Sequence, residues 1–287
     1  MNLFSIAFAG LDLKKKFWLL GVLVLSFAGV FLADIQLTWG FFALIVLCFF
    51  SELMDSSLGM GYGTTLTPIL LMVGYEPLQL VPTILLSEFL SGFSSSYFHH
   101  DIGNVDFSRK SNDLRVAMML ALGSVVGVSI GVNIAFQIPT YLLKLLIGII
   151  ILVAGISIWI FLNRVFVFKT WKMILLATLA SFNKALSGGG YGPLLTSGQI
   201  LSGVPGRASV GITSFAEGFT CLVGVILFMG KGLGFTPELL LPVLTGALLS
   251  VPFSAHFVNV LQEKTMKKTI AILTIFMGLL TIYKVLI

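Results

Sequence analysis

Charged residues are scarce in this sequence. Of its 287 residues only 10% are Asp, Glu, Lys or Arg, whereas 57% are hydrophobic. A soluble domain normally carries about a quarter charged residues, so this chain has too few of them to cover a surface in contact with water. The scarcity of charge excludes a soluble globular protein and predicts a protein embedded in a lipid bilayer.

Cysteine and histidine are also rare, with two and three residues respectively. Cys48 and Cys221 both lie inside apolar segments, so neither a disulfide framework nor a zinc site is expected. The run His99-His100-Asp101 lies at the end of an apolar segment, where we expect an interfacial or solvated role. No nucleotide-binding or metal-ligand motif occurs, so we predict no cofactor and no metal site.

The net charge of +5 does not indicate a nucleic-acid partner. The basic residues form short clusters between apolar runs, where they orient a membrane protein. Lys14, Lys15 and Lys16 precede a long apolar run without a small-x-small cleavage pattern, which favours an uncleaved first span over a signal peptide.

Apolar runs of about 20 residues, long enough to cross a bilayer, recur along the chain. The predicted spans are 17–33, 39–58, 78–98, 115–136, 140–162, 170–187, 206–229, 237–258 and 266–287. Two shorter runs, 64–74 and 193–203, each follow a glycine cluster. At 1.5 Å per residue, such a run covers about 17 Å, roughly half the hydrocarbon core. We therefore predict two half-helices.

The positive-inside rule indicates how the half-helices lie. If each carries the chain to the opposite side, 13 of the 17 Lys and Arg residues fall on the side of the N-terminus, but only 8 do if each dips in and returns. The rule favours the crossing arrangement. We predict a multi-pass protein of a bacterial-type inner membrane, with the N-terminus cytoplasmic and the C-terminus outside.

The sequence contains an internal repeat. A shift of 129 residues aligns Gly59-Met-Gly-Tyr-Gly63 with Gly188-Gly-Gly-Tyr-Gly192 and matches nine of 30 positions from residue 59 onward, including Glu88 with Glu217. Each half then has four spans and one half-helix, an odd number of crossings, so the second half is inverted. We predict an all-α polytopic membrane protein: an N-terminal cytoplasmic segment and extra span (1–38), then inverted repeats at 39–163 and 164–287. Inverted repeats with broken helices are typical of transporters.

The glycine clusters predict an anion site. Each precedes a half-helix, beginning at Thr64 or Pro193, and a helix N-terminus offers free N–H donors and the positive end of its dipole. Close helix packing is the alternative role for such glycines. The residues predicted to bind the anion are Gly61, Tyr62, Gly63, Thr64 and Thr65 in the first half, and Lys184, Ser187, Gly189, Gly190, Tyr191 and Gly192 in the second.

Ionisable residues inside the apolar spans predict proton coupling. Lys184 lies within a span, where it needs either an anion to attract or a carboxylate partner, with Glu217, Glu88 and Asp55 as candidates. Buried carboxylates can exchange protons near neutral pH. We therefore assign proton coupling to Glu88, Glu217, Asp55 and Glu52. The alternative is that Glu88 and Glu217 are structural hydrogen-bond anchors.

At these residues the sequence resembles the sulfite exporter (TauE/SafE) family of membrane permeases. The resemblance lies in the stretch from Leu58 to Pro68, the Gly-Asn-Val-Asp run ending at Asp106, the Gly188–Pro193 cluster and the stretch 208–214, and it covers about residues 39–287. The family implies export or uptake of sulfite, sulfonates, or related organosulfur and carboxylate anions, driven by a proton gradient. Tyr62 and Tyr191 depart from the family pattern, because a phenol among the glycines narrows the site.

These observations predict a secondary transporter of a small anion, proton-coupled and working by alternating access, whose partners are the anion, protons and the lipid bilayer. The first alternative is an anion channel, which has no need of coupling carboxylates. An intramembrane enzyme is less favoured, because no nucleophile–base or metal constellation occurs. The sequence leaves the oligomeric state open, with a homo-oligomer as one option.

Overall fold

A computed structural model describes residues 12–59, 61–161, 170–201, 203–258 and 263–286. Within these ranges the chain forms helices joined by short loops. They are α1 (Leu13–Leu32), α2 (Trp39–Leu58), α3 (Tyr62–Val73), α4 (Pro77–Asp101), α5 (Asn112–Gln137), α6 (Thr140–Phe161), α7 (Thr170–Ser187), α8 (Tyr191–Leu201), α9 (Gly206–Gly230), α10 (Pro237–Phe257) and α11 (Glu263–Leu286). The predicted boundary between the halves, at residues 163 and 164, and most of the predicted cytoplasmic segment lie outside the described residues.

The helices are those of a multi-pass membrane protein. Among the described residues, six of them are long and apolar enough to cross a bilayer. Large apolar side chains point outward, including Phe31, Trp39 and Trp171, of which Trp39 is 91% exposed. In water such a surface is unfavourable, whereas acyl chains solvate it. The predicted all-α membrane fold is confirmed.

The two short helices begin two residues earlier than the sequence suggested. The Gly61 carbonyl already accepts the N–H of Thr65 at 3.0 Å, so the first helical residue of α3 is Tyr62 rather than Thr64. In the second half α8 begins at Tyr191, so Pro193 is its third residue and not its first. A proline is tolerated there because N–H groups in the first turn have no intrahelical partner.

Ion pairs between helix ends define two faces of the molecule. Lys14, at the start of α1, pairs with Asp101, at the end of α4, at 2.8 Å. We call this end face A. Lys144, near the start of α6, pairs with Glu76, just before α4, at 2.8 Å at the opposite end, which we call face B. Lys284, near the end of α11, donates to a carbonyl at the end of α3, also at face B.

These contacts favour a first half-helix that carries the chain across the membrane. The helix α1 begins at face A, so α1 and α2 together return the chain to face A. Because α4 ends at face A with Asp101, it starts at face B, and the intervening residues 59–76 carry the chain from one face towards the other. The crossing arrangement favoured by the charge distribution is the one that the contacts support. That face A is the cytoplasmic face stays a prediction.

Helix packing is similar in the two halves. Helices α4 and α9, which the 129-residue shift makes equivalent, pack against each other, as do α6 and α11. Gly148 lies against Ile282 and Gly155 against Ile275, so α6 and α11 run antiparallel. The helix α5 packs on α7 just as α10 packs on α2, which is the same pairing with the halves exchanged. An inverted repeat produces such packing, and the repeat remains our interpretation.

Candidate functional site

The glycine clusters that precede α3 and α8, which we call the two breaks, touch each other in the interior of the bundle. A Cβ added to Gly63 would overlap the Gly188 carbonyl, and one added to Gly189 would lie 2.6 Å from the backbone nitrogen of Thr64. Only glycine permits this backbone approach. The breaks that the sequence placed in separate halves therefore meet at one point.

Threonines from each half-helix reach the opposite break. The hydroxyl of Thr196, on α8, donates to the Gly59 carbonyl at 3.0 Å. Its equivalent on α3, Thr67, points at the other break, where its Oγ1 would lie 2.9 Å from a Cβ on Gly188. The Thr67 hydroxyl is buried and has no hydrogen-bond partner among the described residues. The contact between breaks is thus nearly symmetric, but one of its two hydroxyls is left free.

Lys184 lies beside this contact and is almost fully buried, with 1% of its side chain exposed. Its ammonium pairs with Glu217 at 2.7 Å and also with Glu88. The sequence left two roles open for this lysine, attraction of an anion and pairing with a carboxylate. The structure gives it a carboxylate partner from each half. An ion pair in a low-dielectric interior is strongly held, because losing one partner leaves an uncompensated charge.

Asp55 brings a third carboxylate into the cluster. Carboxylate oxygens of Asp55, Glu88 and Glu217 all lie within 4.8 Å of one another. Such spacing suits a divalent cation, but here the Lys184 ammonium already binds two of the three groups. Asp55 also accepts the backbone N–H of Tyr62 at 3.3 Å. The positive end of α3 is therefore already occupied by a carboxylate of the protein itself.

The turn that precedes α8 is held by a serine hydroxyl. Ser187 accepts the N–H of Gly189 at 3.1 Å and donates to the Asn183 carbonyl at 2.9 Å. Gly190 follows with φ of 82°, a left-handed conformation that favours glycine. Among the described residues no carboxylate is hydrogen-bonded to an N–H in the first turn of α8, in contrast to Asp55 at α3. Gly190, Tyr191 and Gly192 are buried at this end.

The tyrosine hydroxyls bond to side chains of neighbouring helices. Tyr62 is fully buried, and its hydroxyl lies 2.8 Å from Ser87 Oγ on α4. Tyr191 is fully buried as well, with its hydroxyl 2.9 Å from Ser124 Oγ on α5. Each phenol thus ties a half-helix to a long helix, and its hydroxyl already has a partner.

The remaining predicted residues lie close to the breaks. Thr64 donates to the Gly61 carbonyl at 3.2 Å within the first turn of α3, whereas Thr65 is half-buried. Gly61 has φ of 132°, which turns the chain between α2 and α3. Glu52 is buried one turn before Asp55 and accepts the hydroxyl of Ser56 at 2.5 Å.

Sequence reasoning missed several polar residues at the site. His99 was expected at the membrane interface or in solvent, but it is fully buried, with Nε2 2.8 Å from the Ser56 carbonyl. That expectation was wrong. The signal that could have found it is its spacing of four and eight residues from Ser95 and Ser91, which places all three on one helical face. Cys221 was considered only for a disulfide or a zinc site, and its Sγ lies 3.8 Å from Glu88 Oε2.

Two broken helices meeting at a buried charge cluster within a bundle of membrane helices are an arrangement typical of secondary transporters. The chain belongs to the sulfite exporter TauE/SafE family, whose model matches residues 44–281. It is also 28% identical over 196 residues to the probable membrane transporter protein YtnM of Bacillus subtilis (strain 168), covering 63% of this chain and 62% of that protein. The chain thus aligns with less than two thirds of that relative's length. No solved structure matches it.

Proposed function

We propose that this protein is a proton-coupled secondary transporter of a small anion, of the sulfite, sulfonate or related organosulfur and carboxylate class. The observation that carries the proposal is the buried Lys184 ammonium, shared by Glu88 and Glu217 where the two helix breaks meet. The family, the sulfite exporters, supports the substrate class. We predict that the protein lies in an inner membrane. Face A, which contains the N-terminus of α1, would then be on the cytoplasmic side.

The charges of the cluster explain how a proton and an anion can be coupled. Three carboxylates face one ammonium, and at 4.8 Å two ionised carboxylates repel each other by roughly 3.5 kcal/mol at an effective dielectric constant of about 20. A bound proton relieves this repulsion and frees Lys184 from one carboxylate. An anion can then take that place on the ammonium. The anion and the proton therefore favour each other's binding.

The second break is the better position for the anion. Asp55 already binds the first N–H of α3, whereas among the described residues no carboxylate is hydrogen-bonded to an N–H in the first turn of α8. The unpartnered Thr67 hydroxyl points at the same break and can donate to an oxyanion. An anion between Lys184 and the first turn of α8 would thus receive a salt bridge, backbone N–H groups and a hydroxyl.

Substrate entry requires the two breaks to separate. In the present arrangement Gly63 and Gly189 are in backbone contact, which leaves no room for an anion between the half-helices. Moving one half against the other opens this contact towards one face at a time, which is alternating access. The glycines allow the tight closed state.

The proposal is tested by flux into proteoliposomes that contain the purified protein. We expect sulfite to accumulate against its gradient when a pH gradient is imposed, with a rate that saturates. Lys184→Ala should abolish accumulation. Lys144→Ala is the matched control, because Lys144 forms a partly exposed surface pair with Glu76 and should transport like the wild type.

Two outcomes would contradict the proposal. Non-saturating flux that only dissipates a sulfite gradient would indicate an anion channel. Unchanged pH dependence in both Glu88→Gln and Glu217→Gln would remove these carboxylates from proton coupling. Thiosulfate, sulfoacetate, taurine and short carboxylates in the same assay define which anion of the class is preferred.

A further inference from the structure

A polar stripe runs along one face of α4. Ser87, Ser91, Ser95 and His99 follow each other at intervals of four residues, and each is fully buried. Residues four apart lie on the same side of a helix. The stripe rises about 18 Å over its 12 residues, from beside Glu88 to the last turn of α4 at face A. It therefore links the depth of the charge cluster with one surface.

Side chains of α2 complete the stripe. The Glu52 carboxylate accepts the Ser56 hydroxyl at 2.5 Å and faces the hydroxyl of Ser91. The imidazole of His99 lies 2.8 Å from the carbonyl of Ser56. Polar groups of α2 thus face the stripe at Ser91 and at His99. Asp55, one turn after Glu52 on α2, belongs to the charge cluster.

The stripe ends in a loop at face A. The amide of Asn104 contacts His99 Nδ1 at 3.1 Å and donates to the Ala255 carbonyl at 3.0 Å. Asn104 is half-buried, and the neighbouring Gly103 is exposed. We call Glu52, Ser56, Ser91, Ser95, His99 and Asn104 together the access file.

Three polar atoms of the access file are unpartnered. Within the part of the chain that the structure describes, Glu52 Oε2, Ser91 Oγ and Ser95 Oγ are buried without a partner at hydrogen-bond geometry, although the first two face each other. Such groups are costly in an apolar interior unless they bind something. Buried hydroxyls and carboxylate oxygens of this kind are the groups that hold internal water.

The second half of the chain is an internal control. With the 129-residue shift, Ser56, Ser95, His99 and Asn104 correspond to Ala185, Gly224, Phe228 and Leu233, whereas Glu52 and Ser91 correspond to the polar residues Ser181 and Thr220. The first three of these counterparts are buried, and Leu233 packs against the apolar core. The same architecture is therefore built with apolar residues at the end towards face B. Helix packing alone does not require the polar ones at the end towards face A.

We propose that the access file is the proton route between Glu52 and face A, so that coupling protons reach or leave the charge cluster on that side through these residues. The inference rests on the proposed proton-coupled function. Protons pass along water held by Ser91 and Ser95, and between Glu52 and the cluster through Asp55. The other ionisable groups that face Glu52 are Glu217 on α9, Tyr62 on α3 and Cys48, one turn earlier on α2.

Two sulfite assays in proteoliposomes separate this route from substrate binding. Sulfite–sulfite exchange at equal pH moves no net protons, whereas accumulation driven by a pH gradient does. For the double variant Ser91→Ala/Ser95→Ala we expect exchange within about twofold of the wild-type rate and gradient-driven accumulation at least tenfold slower. Asn104→Leu, which installs the counterpart from the second half, should give the same split.

The matched controls are Ser94→Ala and Ser96→Ala on the same helix. Their hydroxyls donate to the carbonyls of Leu90 and Phe93, so both variants should behave as wild type in the two assays. Equal loss of exchange and accumulation in the double variant would show a structural role and overturn the route, as would no loss in either. A wild-type protein that neither exchanges nor accumulates sulfite would refute the proposed substrate instead, and the route with it.

Discussion

Asp55 and Lys184 hold the same position in α2 and α7 but carry opposite charges. They are 129 residues apart, and the carbonyl of each accepts the N–H of the first glycine in its cluster, Gly59 at 2.6 Å and Gly188 at 2.8 Å. The carboxylate turns to the N-terminus of its own half-helix, whereas the ammonium binds Glu88 and Glu217. Two similar halves thus produce one asymmetric centre, with an internal anion at one break and a cation beside the other.

Removing the buried ammonium should destabilise the protein. Lys184→Met leaves Glu88 and Glu217 buried without a cation, for which we expect a loss of about 3–5 kcal/mol in the free energy of unfolding. Thermal unfolding in detergent measures the effect. Adding Glu88→Gln and Glu217→Gln to Lys184→Met should restore part of the stability, because no uncompensated charge remains. A triple variant as unstable as Lys184→Met would contradict the ion-pair explanation.

The contact between the breaks should not tolerate a methyl group. In Gly189→Ala the new Cβ meets the backbone of Gly63 and Thr64, so a shift of backbone and a loss of about 1–3 kcal/mol are expected. Gly21→Ala on α1 is the control, because its Cβ meets no atom within 4 Å and alanine favours the helix. Equal thermal stability of the two variants would show that the breaks do not pack tightly in the membrane.

The two tyrosine hydroxyls should contribute to stability rather than to affinity. Tyr62→Phe and Tyr191→Phe each remove a buried hydrogen bond, to Ser87 and Ser124 respectively, for which about 1 kcal/mol is expected. The concentration of sulfite at half-maximal flux should stay within about twofold of the wild-type value. A tenfold increase would instead assign the phenol to the anion site.

The crossing of the first half-helix can be tested by labelling. Cys48 and Cys221 are fully buried, so single cysteines introduced by Asp101→Cys and Lys144→Cys can be followed with an impermeant maleimide after both native cysteines are replaced by alanine. With face A cytoplasmic, Lys144→Cys reacts in intact cells, whereas Asp101→Cys reacts only after permeabilisation. The reverse pattern would place face A outside, and labelling of both from one side would refute the crossing.

The apolar pattern of the sequence predicted most of the helices well. Both α2 and α7 have the predicted bounds, and the other described helices differ from the prediction by a few residues at one or both ends. These features are local, because hydrophobic length and glycine clusters act on the chain near them. The starts of α3 and α8 were misplaced since they depend on which carbonyl begins the helical bonding, as Gly61 does for Thr65.

By itself, the sequence determined that this protein is embedded in a membrane, which segments form its helices and which family it belongs to. Only the tertiary structure decided that Lys184 pairs with Glu217, 33 residues away, and with Glu88. The tertiary structure also decided that Asp55 accepts the first N–H of α3 and that His99 is buried. Such pairings depend on how each helix is rotated and packed against its neighbours, and in so apolar a chain hydrophobic periodicity does not specify that rotation.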